Sequence, residues 1–125
     1  MDKALLLALY EDVVGASGGA VGLRDAGLLE SAIARPMNLR LYEGVEDRLI
    51  LAAAYAVSIA SNHPFVDGNK RMAFIALGQF LADNGIVLIA RPADATEIML
   101  AVARGEVTID QLAEWLTSRT VRPGV

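Results

Sequence analysis

The sequence predicts an all-α protein, a bundle of about six helices around one central and nearly all-apolar helix. Three observations support this. Apolar residues recur at helical spacing in several segments. Between Leu49 and Ala60 only Tyr55 and Ser58 carry polar side-chain atoms, the mark of a helix buried on all sides. Glycine, proline and asparagine punctuate the chain between these segments. With 125 residues the chain reads as a single domain, 1–125, with one sizeable core.

Taken in order, Lys3 to Val14 places Leu5, Leu6, Leu9 and Val13 at helical spacing, with Glu11 and Asp12 near its end. Gly15 to Gly22 is glycine-dense. It has no preceding strand and no Lys-Ser/Thr pair after a glycine, so it reads as a helix stop and turn rather than a phosphate loop. Asp25 suits the N-cap of a helix through Leu28, Leu29, Ala32 and Ile33 that ends before Pro36. Met37 to Gly44 has weak periodicity and is expected to form a loop, short hairpin or flap.

The central helix is expected from about Val45 to Ser61, with Glu46 and Asp47 in its first turn and Asn62 and Pro64 bracketing its end. A fourth helix runs from near Asn69 to Asp83 and stops at Asn84-Gly85. Ile86 to Ala90 is a short apolar run, strand or extended linker. A helix from about Ala93 to Ala103 turns Ile98, Met99, Ala101 and Val102 inward, and Gly105 breaks it. Thr108 to Gln111 has the form of a capping box, and Leu112, Trp115 and Leu116 supply the last apolar face. The tail Arg119–Val125 is expected to fray.

Composition removes several classes of function. The net charge of -4 and pI near 4.9 argue against non-specific nucleic-acid binding, so no direct nucleic-acid partner is expected. No cysteine is present, which excludes disulfides and thiolate chemistry, and a lone histidine makes a zinc site unfavourable. No apolar run reaches the ~18–20 residues a membrane span needs, and the N-terminus is too short and acidic for a signal peptide. No membrane association is expected, and a cytoplasmic location follows.

The polar stretch His63-Pro-Phe-Val-Asp-Gly-Asn-Lys-Arg71 lies between the two most apolar segments, where a polar loop is costly to bury. Gly68 and Asn69 precede a helix, so free N–H groups and the positive dipole end face the loop, and both residues tolerate the φ > 0 of an anion nest. Lys70 and Arg71 in the first turn oppose the dipole unless an anion neutralises them. A bound polyphosphate removes that conflict. Asp67 at the same rim suits a Mg²⁺ ligand, since Mg²⁺ takes one or two carboxylates plus phosphate oxygens. His63 is the candidate general base for an attacking hydroxyl. Pro64 and Phe65 are expected to support the loop, with Phe65 pointing into the core. Each element alone has a plainer reading: a helix-end histidine, an Asp-Gly turn, a solvated Lys-Arg pair. Their combination over nine positions is what points to a phosphate site.

These nine residues closely resemble the Fic/Doc signature, His-x-Phe-x-Asp/Glu-Gly-Asn-Gly/Lys-Arg. The resemblance extends to Gly18-Gly19, to Gly22-Leu-Arg-Asp-Ala-Gly-Leu-Leu-Glu-Ser-Ala-Ile-Ala-Arg-Pro36, to Asn84-Gly85 and to the Gly105-Glu106…Trp115 ending, which look like death-on-curing (Doc) proteins. It implies a Fic-like helical bundle that binds ATP with Mg²⁺. By carry-over His63 is the general base, Asp67 the metal ligand, Gly68 and Asn69 the anion hole, Lys70 and Arg71 the phosphate contacts, and Phe65 structural.

Two departures from the wider family bear on the reaction. Most Fic adenylyltransferases have glycine where this chain has Lys70, and a second arginine where it has Phe74. Lysine there is the pattern of Doc toxins, which resemble kinases using the nucleotide reversed and passing the γ-phosphate to a threonine of elongation factor Tu. The self-inhibitory Ser/Thr-x-x-x-Glu-Gly/Asn motif is also missing, since Glu43-Gly44 has Leu39 at the hydroxyl position. The resemblance therefore implies inhibition in trans by a Phd-type antitoxin docked in an exposed apolar groove. Nucleotidyl transfer to a protein hydroxyl and a non-catalytic phosphate- or partner-binding module are the alternatives.

Overall fold

The first helix, α1 (Lys3–Ala16), is capped by the Asp2 carboxylate, which accepts from the Ala4 N–H at 3.0 Å. The computed structural model of the protein describes residues 1–122. After α1 come α2 (Ala26–Glu43), α3 (Arg48–Asn62), α4 (Asn69–Asp83), β1 (Val87–Leu88), α5 (Pro92–Ala103), α6 (Ile109–Thr117) and β2 (Thr120–Val121). The fold is therefore all-α in class, with one small antiparallel ribbon that pairs Val87 with Val121 and Leu88 with Thr120.

Helix α3 is the centre, as its composition predicts. It packs against α2, α4, α5 and α6. Ala52, Ala53, Ala54 and Ala56 are fully buried along it, and these small side chains let the neighbouring helices approach closely. The core draws residues from all six helices, among them Leu6, Leu29, Ile59, Leu77, Met99 and Leu112.

Several expectations are corrected. Helix α2 does not stop before Pro36 and Met37–Gly44 is no hairpin; the helix runs on to Glu43 and ends at Gly44 in the left-handed region, φ 69°. The reason is tertiary. Leu29, Ala32, Pro36 and Leu39 form a buried stripe at heptad spacing, and burying two such side chains offsets the ~3 kcal/mol a mid-helix proline costs. Asp47 is not in the first turn of α3 but caps it, its carboxylate accepting from the Leu49 and Ile50 N–H groups.

On α1 the buried line is Leu6, Tyr10 and Val14, while Leu5 is exposed, so the inward face is one residue away from the expected stripe. On α5, Met99 and Val102 are buried together with Ala95, whereas Ile98 and Ala101 are half-buried. The α6 capping box forms as expected, with Thr108 and Gln111 bonded reciprocally at 2.9 and 3.1 Å. Arg119 to Val121 are not frayed. Arg119 lies over the Trp115 ring at 4.4 Å, its carbonyl accepts from Ile89 N–H, and Thr120 and Val121 form the ribbon. Residues 123–125 of that expected tail lie outside the described residues.

Candidate active site

The loop His63–Gly68 joins the C-terminus of α3 to the N-terminus of α4, and the backbone at each end is left-handed. His63 caps α3 with φ 50° and ψ 55°, the one non-glycine positive φ among the described residues. Such a conformation costs ~1–2 kcal/mol and persists only where the surroundings enforce it. Arg24 does much of this. Its Nε donates to the His63 carbonyl at 2.7 Å and its Nη2 to the Asn62 carbonyl at 2.9 Å. The Pro64 carbonyl accepts from the Arg24 and Asp25 N–H groups, and Leu23 forms a β-bridge with Phe65.

Gly68, at φ 82°, caps α4 without any side-chain hydrogen bond. A Cβ there would lie 2.6 Å from Val14 Cγ2, so glycine is required for space as well as for conformation. The first turn of α4 holds Lys70 and Arg71 and no acid. Its leading N–H groups have no intrahelical acceptor, and they point toward the loop with the positive dipole end. The Gly68 N–H is taken by Asp67 Oδ1 at 2.8 Å, which leaves Asn69, Lys70 and Arg71 to offer theirs.

Below the cleft the loop rests on two buried residues. Phe65 is 1% exposed and its ring stacks on Tyr10 with centroids 4.0 Å apart. Asn69, 7% exposed, turns its side chain inward: Oδ1 accepts from the Phe65 N–H and Nδ2 donates to the Phe65 carbonyl, each at 3.0 Å. Those two bonds settle which end of the amide is nitrogen. The Asn69 Nδ2 therefore also donates to His63 Nδ1, at 3.3 Å. A neutral imidazole accepting at Nδ1 carries its proton on Nε2. Of the groups on Asn69 itself, the backbone N–H is the one left free for an anion.

The cleft encloses about 480 Å³ and brings together His63, Asp67, Gly68, Asn69, Lys70 and Arg71. Pro64 and Phe65 lie beneath it, buried. The far wall is one that sequence reading missed, formed by Val14, Ser17, Gly18 and Gly19 at the end of α1. Ser17 Oγ accepts from Arg71 Nη1 at 2.6 Å and so orients the guanidinium. The turn reading of this stretch holds, yet the turn is also part of the site; its glycine density was the available signal. Tyr10 had none. Its hydroxyl accepts from Gly22 N–H at 3.1 Å and faces the carbonyls of Ala20, Gly22 and Asp67 at 3.1 to 3.3 Å, joining the glycine loop to the Asp67 turn.

Among the described residues there is no cluster of three or more His, Asp or Glu side chains able to cage a metal. Mg²⁺ does not need one, because it is commonly held by one or two carboxylates together with phosphate oxygens and water. Asp67 is exposed at the rim with Oδ2 clear of the Gly68 bond, so the donor set fits Mg²⁺ bound jointly with a nucleotide.

A polar loop between two apolar helices, with a histidine closing one and an uncapped cationic turn opening the other, is the arrangement of a Fic-type fold. The chain belongs to the Fic/DOC family, whose model matches residues 1–81. Within it the chain is of the death-on-curing (Doc) toxin type. It is 32% identical to the protein kinase doc of Escherichia phage P1, over 89% of this chain and 87% of that protein. It is 40% identical to the toxin Doc of Mycolicibacterium smegmatis, over 82% of this chain and 85% of that one. No helix among the described residues is long and apolar enough to cross a membrane.

Proposed function

We propose that this chain, acting as one domain over residues 1–125, is the toxin of a toxin–antitoxin pair and a protein kinase. It transfers the γ-phosphate of ATP to a Ser or Thr hydroxyl of a translation factor, and elongation factor Tu is the target that the resemblance suggests. The observation that carries the reading is the first turn of α4: free N–H groups, two cations, no acid and no side-chain cap, opening on a cleft shared with the chain's only histidine. This arrangement is unfavourable until an anion occupies it. That the phage P1 relative is a protein kinase favours phosphoryl over nucleotidyl transfer.

In the proposed step the acceptor oxygen forms a bond to the γ-phosphorus, the bond to the bridging oxygen breaks, and ADP leaves. His63 takes the hydroxyl proton. For this its Nε2 must be the free nitrogen, so the ring gives up the 3.3 Å contact with Asn69 and adopts the other tautomer. A hydrogen bond that long is worth at most about 1 kcal/mol, a small part of a catalytic barrier. The N–H groups of α4, Lys70 and the Ser17-held Arg71 bind the phosphates. Asp67 would hold a Mg²⁺ bound together with the nucleotide, and the ion would further neutralise the phosphate charge.

A Phd-type antitoxin is proposed to bind the mainly apolar cleft between α4 and α5. Phe74, Pro92, Ala95, Met99 and Leu100 line it, and Lys70 and Arg71 are shared with the phosphate site. A helix laid there would cover the cations from the side. Action on a translation factor places the protein in the cytoplasm.

Incubation with bacterial lysate and either γ-labelled or α-labelled ATP tests the reaction. Transfer of the γ label alone is expected, together with its loss in His63→Ala and a marked fall in Arg71→Ala. Transfer of the α label assigns the chain to nucleotidyl transfer. If neither label transfers and growth arrest survives His63→Ala, the chain is not an enzyme of this kind.

A further inference from the structure

A second cleft lies at the opposite end of the α3–α4 pair and shares no residue with the catalytic one. His63 and Asn69 sit where α3 ends and α4 begins. This cleft is formed where α3 begins and α4 ends, with the C-terminal half of α2 as its third wall. It encloses about 600 Å³, more than the catalytic cleft and within the ~300–1,000 Å³ usual for small-molecule sites.

Its floor is apolar and aromatic: Pro36, Leu51 and the Tyr55–Phe80 pair, whose rings are tilted at 45° with centroids 5.2 Å apart. Its rim is cationic. Arg40 comes from α2 and Arg48 from the start of α3, against one carboxylate, Glu46. The ion pairs among the described residues are Lys3–Glu30 and Arg91–Asp94, so neither arginine is neutralised by a carboxylate within bonding distance.

The polar groups are also oriented. Asn84 Nδ2 donates to the Phe80 carbonyl at 2.8 Å, which fixes the amide, and its Oδ1 then accepts from Arg48 Nε at 3.1 Å. That bond holds the guanidinium by one edge and leaves both Nη groups available. Tyr55, 4% exposed, accepts from the Met1 amine at 2.7 Å, and its own O–H proton has no protein acceptor among the described residues. A buried donor aimed into a cavity, beside an arginine fixed by a second-layer amide, is the arrangement expected of an anion site. A pair of solvated surface arginines would have neither feature.

We propose that this cleft binds a small organic anion, a carboxylate or phosphate monoester with a flat apolar body. The anion meets Arg48, Arg40 and the Tyr55 hydroxyl, and the apolar body lies on Phe80, Leu51 and Pro36. The proposal is independent of the kinase reading, since it uses none of the catalytic residues.

Phenyl phosphate is a suitable probe, with inorganic phosphate alongside, titrated into the ¹⁵N-labelled full chain. Saturable shifts are expected at Arg48, Leu51, Tyr55, Phe80 and Asn84, with phenyl phosphate binding more tightly than phosphate. Loss of one charge-assisted hydrogen bond should weaken binding about tenfold in Arg48→Ala. Tyr55→Phe should weaken it severalfold with the fold intact, and Arg40→Ala/Arg48→Ala should remove it. Arg71→Ala should leave these shifts unchanged, which separates this site from the catalytic one. Shifts confined to residues 63–71, shifts that persist in the double variant, or equal affinity for phosphate and phenyl phosphate would each overturn the proposal.

Discussion

Asn69 is the residue whose removal should report most directly on how the site is held. Its amide makes two 3.0 Å hydrogen bonds to the backbone of Phe65, in a place where Phe65 is 1% and Asn69 7% exposed. In Asn69→Ala both the N–H and the carbonyl of Phe65 lose their partner. Each buried group left unsatisfied costs about 1–3 kcal/mol, and the better helix propensity of alanine returns only about 0.6 kcal/mol. A net loss of about 1.5–5.5 kcal/mol follows, a large share of the ~5–15 kcal/mol typical of a domain. At about 4 °C per kcal/mol for a chain of this size, Tm should fall by roughly 6–22 °C. Urea and thermal unfolding followed by circular dichroism measure the loss, and amide exchange should show Phe65 deprotected. A variant within about 1 kcal/mol of the parent, with Phe65 still protected, would refute the account of Asn69 as the tie across the loop.

Three further outcomes are expected. Tyr10→Phe keeps the stack on Phe65 but leaves the Gly22 N–H without its acceptor; it should cost ~1–3 kcal/mol in urea unfolding and raise KM for ATP as the glycine loop loosens. Unchanged exchange rates at Gly22 would count against it. Gly68→Ala drives a methyl to 2.6 Å from Val14 Cγ2 at a φ of 82°, so phosphate binding should be lost together with ~1–3 kcal/mol of stability; a crystal structure with an undisturbed loop would contradict this. Burial raises the Tyr55 phenol above its usual 10.0. Its contribution to stability is therefore complete below about pH 10 and is lost as pH rises toward the higher folded value. Urea unfolding between about pH 8 and 11 should show a shallower alkaline decline in Tyr55→Phe, and identical slopes would rule the effect out.

Much of the architecture was legible because it is encoded locally. The apolar surround of Leu49–Ala60 forces it to the centre whatever its neighbours are. The Asn84-Gly85 stop and the Thr108 capping box act within a few residues of themselves, and both ends were read correctly. The Pro36 rule failed for the opposite reason. A proline's local penalty is comparable to the gain from burying a stripe, so the outcome rested on whether α3 offered a surface to receive it.

The site divides along the same line. Sequence by itself picked out the residues that share the cleft: His63, Asp67 and the Lys70–Arg71 pair are neighbours in the chain, and a helix start beside two cations is a statement about backbone and charge. Tertiary structure alone decided how those groups are held. Ser17 against Arg71, Tyr10 beneath Asp67 and Arg24 on the His63 carbonyl join residues separated by 54, 57 and 39 positions. No local pattern specifies such contacts, because they depend on where α1 and the turn after it come to rest on the α3–α4 pair. The same holds for the second cleft. Arg40, Arg48 and Asn84 look like solvated surface residues in the sequence, and only the packing of three helix ends turns them toward one cavity.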